Sequence, residues 1–193
     1  MRPRVLTSVG TVSLLLALFA TSFAAGAQAN ASRYHCGTER WSVKILADSD
    51  NAKVTLTPLP SSVSKLGDIP VPVAPLPADR RLAPHELNVF RVHVTVTQSL
   101  VENDQDWHLV LRDTEDSTRT MIGEIPDSAC AIGSGWEHAY AEARRSFRAV
   151  PRGAVIEVDG VGFWDFQHGQ RGRAPNGFEL HPILAIRTLG ATP

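Results

Sequence analysis

Residues 154–187, AVIEVDGVGFWDFQHGQRGRAPNGFELHPILAIR, decide how this chain folds. Two strand-like apolar runs enclose a loop dense in glycine, histidine, acid, arginine and amide, a composition that strands alone do not require. On the near side Ile156 and Val158 alternate with Glu157 and Asp159, and Gly160 and Gly162 allow a bend or bulge. On the far side Leu180, Leu184 and Ile186 mark the return strand.

Upstream of this pair the spacing predicts one helix. Trp136, Tyr140, Ala143 and Phe147 fall on a single face, Ser134 and Glu137 have capping-box spacing, and Pro151 and Gly153 end the helix. Before the helix come three strands with short connections. Phe90, Val92, Val94 and Val96 alternate with Arg91, His93, Thr95 and Thr97; Trp107, Leu109 and Leu111 alternate with His108, Val110 and Arg112; TMIGEI at 120–125 is stopped by Pro126. Three strands, a helix and two strands (β-β-β-α-β-β) is the order of the OB-fold, a five-stranded barrel plugged by its helix. The sequence therefore reads as mainly β and OB-like, and a different α+β sheet with the helix on one face would give nearly the same pattern.

The N-terminal part is organised differently. Arg2 and Arg4, an apolar run from Val12 to Phe23 and the small residues Ala27-Gln28-Ala29 make a secretory signal peptide, with cleavage expected near Ala29. The apolar run is too short to span a bilayer, so the expected location is secreted or periplasmic, without a membrane span. Residues 30–88 form a segment with a Pro-rich strap, and residues 89–193 form the barrel. Residues 40–46 (RWSVKIL) read as a short strand or strap, and residues 54–56 as another extended piece. Seven of the 13 prolines fall between 58 and 84, which predicts an extended strap lying on the domain rather than core.

Cys36 and Cys130 form no CxxC, and an isolated pair in an exported chain reads as a disulfide. Such a bridge would fasten the strap, and its loss would release that segment first. Removing Arg2 and Arg4 leaves 17 of the 19 basic residues against 20 acidic ones, so net charge argues against nucleic acid as the partner. A small molecule, saccharide or protein remains open.

The wording DQDWHLVLRD, TMIGEIPDSAC and HGQRGRAPNGFELHP resembles a family of exported bacterial proteins of unassigned activity, over roughly residues 40–186. The resemblance implies a shared fold and export, and supplies no catalytic residues.

The chemistry-bearing residues are read on their own terms. Strand alternation sets Glu179 and His181 opposite Leu180, and His108 opposite Trp107 and Leu109, so these three can share one polar face. Asp104 and Asp106 precede His108, while Asp165 and His168 precede the last strand. Carboxylate and imidazole in this number suffice for a divalent metal such as Zn²⁺ or Mn²⁺, the only cofactor the composition suggests, although the spacing follows no ligand motif such as HExxH. Each also has a structural use: half-buried strand histidines bonded to backbone, turn-capping aspartates, and a Glu179 paired with Arg173 or Arg187.

The loop residues Gln170, Arg171, Arg173 and Asn176 could receive a carboxylate or phosphate, but no P-loop is present and the glycines also serve tight turns. No GxSxG elbow occurs. Two functions follow. One is a binding or structural module using the face of the second and fifth strands with loop 167–177; the other is a metal-assisted hydrolase with His108, His168 and His181 and a carboxylate from Asp165 or Glu179.

Overall fold

The computed structural model describes residues 35–166 and 169–189. The signal-peptide reading and Gln167 and His168 lie outside the described residues. The long strand β2 (Asn88–Val101) organises the rest, because its two halves pair with different partners. Its first half runs antiparallel to β5 (Val155–Trp164), with Val92 opposite Val158. Its second half runs antiparallel to β3 (Trp107–Asp113), with Val96 opposite Leu111 and an irregularity before Gln98. A strand shared in this way must curl, and the curl brings its neighbours round to meet. From β3 the ladder continues to antiparallel β4 (Thr120–Ile125), then to parallel β6 (Phe178–Thr188) through Gly123 and Leu180, and back to β5. The five strands close into an OB-like barrel, with α3 (Glu137–Arg148) between β4 and β5 in sequence.

Alternation works as the sequence implies. Val92, Val94, Leu109, Leu111, Met121, Ile156, Val158 and Leu180 point into one fully buried cluster. At Gly162 the interior leaves no room for a side chain: an added Cβ would sit 2.5 Å from the carbonyl oxygen of His85 and 2.6 Å from the Phe178 ring. We expect Gly162→Ala to cost about 1–3 kcal/mol through overpacking. A lowered urea midpoint with an unchanged m-value would report it, and a midpoint equal to wild type would contradict it.

Residues before β2 depart from the sequence expectation. Residues 40–46 form a turn of helix, α1 (Trp41–Lys44), and not a strand. Val43, Ile45 and Leu46 are all buried, and burial of the adjacent pair Ile45 and Leu46 breaks the alternation of a half-buried strand. Residues 54–56 do begin a strand, β1 (Thr55–Pro60), which runs parallel to the start of β2. Pro58 and Pro60 are tolerated there because β1 lies at the edge of the sheet.

The strap is also more than a cover. It contains α2 (Val63–Gly67), capped by the Ser62 hydroxyl and clamped by Asp113, whose carboxylate accepts from both the Ser64 amide and hydroxyl. Val63 and Leu66 belong to the main core. Val71 and Val73 stand out in solvent.

Two buried ion pairs hold this segment down. Arg40 meets Glu86 through two hydrogen bonds of 2.7 and 2.9 Å, and Glu86 also accepts from the amides of Leu82 and Trp164. Arg81 donates from two of its nitrogens to one oxygen of Asp48, Oδ2, and also donates to the carbonyl of Val43. Cys36 and Cys130 are bridged, with Cα atoms 5.4 Å apart. The apolar face of α3 is as expected, with Tyr140 and Ala143 buried, but the helix begins at Glu137. Ser134 and Glu137 act one turn earlier: Ser134 accepts from the Trp136 amide and Glu137 from the Gly133 amide, closing a loop that Gly133 and Gly135 enter at positive φ. Among the described residues no helix is long and apolar enough to cross a membrane.

Candidate functional site

The strand order β3-β4-β6 builds the site. On β3 Asp106 just precedes the strand and His108 lies two residues on; on β6 Glu179 and His181 stand in the same relation. Period two points each pair to one side, away from Leu109 and Leu180, which face the core. The middle strand β4 supplies Glu124, directly opposite His108 in the ladder. Glu124 therefore has one imidazole on either side. Its Oε1 lies 3.0 Å from His108 Nδ1 and its Oε2 lies 2.9 Å from His181 Nδ1.

The array extends at both ends. His181 Nε2 lies 3.3 Å from Asp106 Oδ2, and His108 Nδ1 lies 3.2 Å from Glu102 Oε1. Acid and imidazole thus alternate from Asp106, which is 0% exposed, out to Glu102, whose side chain is 33% exposed.

This face is the outside of the barrel, yet Asp106, His108, Glu124, Glu179 and His181 are all buried. The N-terminal segment roofs it. Gly37 approaches Asp104, and the Phe163 ring touches His181 while Arg40 and Lys44 stand over that ring at 4.7 and 5.6 Å. Tyr140 donates to the carbonyl of Ile45, fixing α1 above α3.

Burial makes the electrostatics strong. Desolvation opposes protonation of His108, but hydrogen bonds to Glu102 and Glu124 push its imidazole up to about 10. Desolvation also opposes ionisation of Glu124; the charge of His181 and the hydrogen bond from His108 overcome it and hold the carboxyl well below the usual range. His181 is likewise raised, burial acting against the charge and Glu124 favouring it. Glu179 goes the other way: burial first, then the charges of Glu124 and Asp165, push it well above an ordinary carboxyl. Lys44 is raised despite burial, by Asp165, Glu124, Glu179 and Asp104.

The array is nevertheless incompletely bonded. Neither carboxylate beside His181 lies where a ring N–H would point, so Asp106 Oδ2 and both nitrogens of His181 are buried without a hydrogen bond, as is Asp165 Oδ1. Each such group costs about 1–3 kcal/mol, so their clustering on one face calls for a cause.

Of the residues singled out from sequence, the structure brings His108, Glu179 and His181 to one face, with Asp165 within electrostatic reach. The loop residues have other tasks. Asn176 donates to the carbonyls of Leu66 and Ile69 and accepts from the Phe178 amide, so it is a clamp between loop and strap. Gln170 donates to Asp165, while Arg171 and Arg173 are exposed on the loop. Cβ packing of Val110 under Gly172 seats the loop on β3.

Sequence reasoning missed Glu124, Glu102 and Lys44 as members of the site, and read Asp106 chiefly as a turn cap. Glu124 did carry a signal, being the lone charge within the apolar strand TMIGEI. Lys44 carried none, since only the fold of α1 brings it here.

No protein-family model and no curated protein matches the sequence. Among solved structures the chain is similar to an OBody, AM2EP06, bound to hen egg-white lysozyme, at 15% identity and a TM-score of 0.39, over 52% of this chain and 79% of that one. It is similar also to a protein designated an aspartyl-tRNA synthetase, from Leishmania major Friedlin, at 13% identity and a TM-score of 0.42, over 86% of this chain but 25% of that one.

Proposed function

We propose that the protein is an exported binding module whose ligand-holding surface is the outer face of β3, β4 and β6 with residues 102–106 and loop 165–177, and that its ligand is cationic. One observation carries the reading: among the described residues Glu102, Asp104, Asp106, Glu124 and Asp165 converge around Lys44, His108 and His181, five acids to three basic groups. A surface so rich in acid repels phosphate and favours positive charge. OB barrels commonly use this face with its two flanking loops to hold ligands. The disulfide and the charged, apolar and small-residue regions at the N-terminus support export.

The test is a binding panel on the exported protein, comparing divalent metals and spermidine with an oligonucleotide and an anionic oligosaccharide. Saturable binding confined to the cations is expected; preference for either anion would overturn the reading. The catalytic alternative, metal-assisted hydrolysis, draws support from one feature, the buried Glu179 carboxyl, which burial and the charges of Glu124 and Asp165 push toward the acid form that a proton donor needs. Turnover of a phosphodiester, peptide or glycoside by pure protein, abolished in Glu179→Gln, would replace the binding module with that enzyme.

A further inference from the structure

We infer that Asp106, Glu124 and His181 form a binding site for a divalent transition-metal ion of the Zn²⁺ or Mn²⁺ class, with Glu102 and His108 at its mouth. The inference rests on reading this face as cation-binding and names the cation. Its first support is geometric. One donor atom from each of the three residues lies within 4.8 Å of the others, and all three residues are buried. Donors around an ion at Zn–N and Zn–O distances near 2.0–2.2 Å stand no more than about 4.4 Å apart, so these three need draw in only slightly to share one.

The second support is independent of the acid count. Asp106 Oδ2 and both nitrogens of His181 have no hydrogen bond, although both residues are 0% exposed. Ion pairing within the array leaves these atoms unserved, because the neighbouring oxygens are near but out of line. An ion can take the lone pair of one His181 nitrogen and a carboxylate oxygen of Asp106 together, which serves two of the three atoms at once and leaves one ring N–H.

Donor chemistry then selects the class. An imidazole among carboxylates suits zinc and manganese, whereas calcium and magnesium take oxygen donors. The supporting contacts have the form that metal sites need, since a ligand must be held from behind. Asp106 Oδ1 accepts from the Asp127 amide, and Glu124 Oε1 faces His108 Nδ1. His181 sits on a paired strand, and the Phe163 ring packs against it.

The experiment uses the full exported protein purified without a His-tag, stripped with chelator and titrated calorimetrically with Zn²⁺, Mn²⁺, Mg²⁺, Ca²⁺ and spermidine. About one Zn²⁺ or Mn²⁺ per chain is expected, bound far more tightly than Mg²⁺ or Ca²⁺ and weakened about 100-fold or more in Asp106→Asn and Glu124→Gln. X-ray absorption of the zinc-loaded wild type reads the site even if those variants fail to fold, and should show imidazole nitrogen with carboxylate oxygen around the ion. A shell of oxygen alone, Mg²⁺ or Ca²⁺ bound as tightly as Zn²⁺, or folded variants that bind as well as wild type would each overturn the assignment. Spermidine bound without any metal would overturn it while leaving the cation-binding face intact. Neither bound would overturn both.

Discussion

Glu86→Gln should lower the stability of this protein by about 3–5 kcal/mol, the cost of leaving a buried guanidinium without its counter-charge. Glu86 is fully buried and takes four hydrogen bonds, two from Arg40 and one each from the amides of Leu82 and Trp164. Arg40 in turn spends its remaining N–H groups on the carbonyls of Pro77, Arg80 and Trp164. The pair therefore joins α1, the strap and the end of β5 at one point. In a domain of this size the loss corresponds to a fall of roughly 6–20 °C in Tm. Arg40→Met should cost a similar amount, and the double variant should cost clearly less than the two singles combined, because it leaves no unpaired charge. Thermal unfolding of the four proteins decides it. Strict additivity would show that the charge pairing is not the cause.

Removing the Cys36–Cys130 bridge should cost about 4–5 kcal/mol in the chain-entropy model, since the bond closes a loop of 94 residues. The structure changes what that loss should look like. Seen from sequence, the segment up to residue 84 is an appendage that would come loose while the barrel stayed folded. In the folded protein Val63 and Leu66 lie in the barrel's own core, and Glu86 and Asp113 bind the segment to β5 and β3. A Cys36→Ser, Cys130→Ser variant should accordingly lose stability throughout and unfold in one transition, with early protease cleavage confined to residues before Arg40. Cleavage within 41–66 while β2 to β6 stay protected would show that the appendage view was right.

How much of this was legible depends on whether a residue's neighbours are local. The strands were legible because their alternation, as in Phe90-Val92-Val94 or Leu109-Leu111, is a property of a few consecutive residues. The face of α3 was legible for the same reason. The short helices α1 and α2 were not, since a helix of four or five residues has too few turns to show a period and depends on tertiary contacts to form. Strand β1 was half visible, its prolines masking a parallel pairing that only the fold supplies.

The candidate site divides along the same line. Asp106 with His108 and Glu179 with His181 are i, i+2 pairs, and alternation alone aims each pair. Joining them requires the register of β4 between their strands, which sets Glu124 opposite His108, and the parallel contact that brings β6 alongside. Lys44 reaches the face from a helix that the sequence pattern reads as a strand.

The roof that residues 37–45 place over this face bears on time as well as on affinity. A cation seated among Asp106, Glu124 and His181 has no open water around it, and Glu102 is the most exposed acid of the array. Departure must then wait for α1 to lift or for carboxylates to pass the ion outward one after another. Along the first route the opening rate of the cover, tied down by Arg40, Tyr140 and the disulfide, sets the ion's residence time. Two variants with equal dissociation constants can thus differ widely in exchange rate, and loosening the cover would turn a slow reservoir into a rapid buffer.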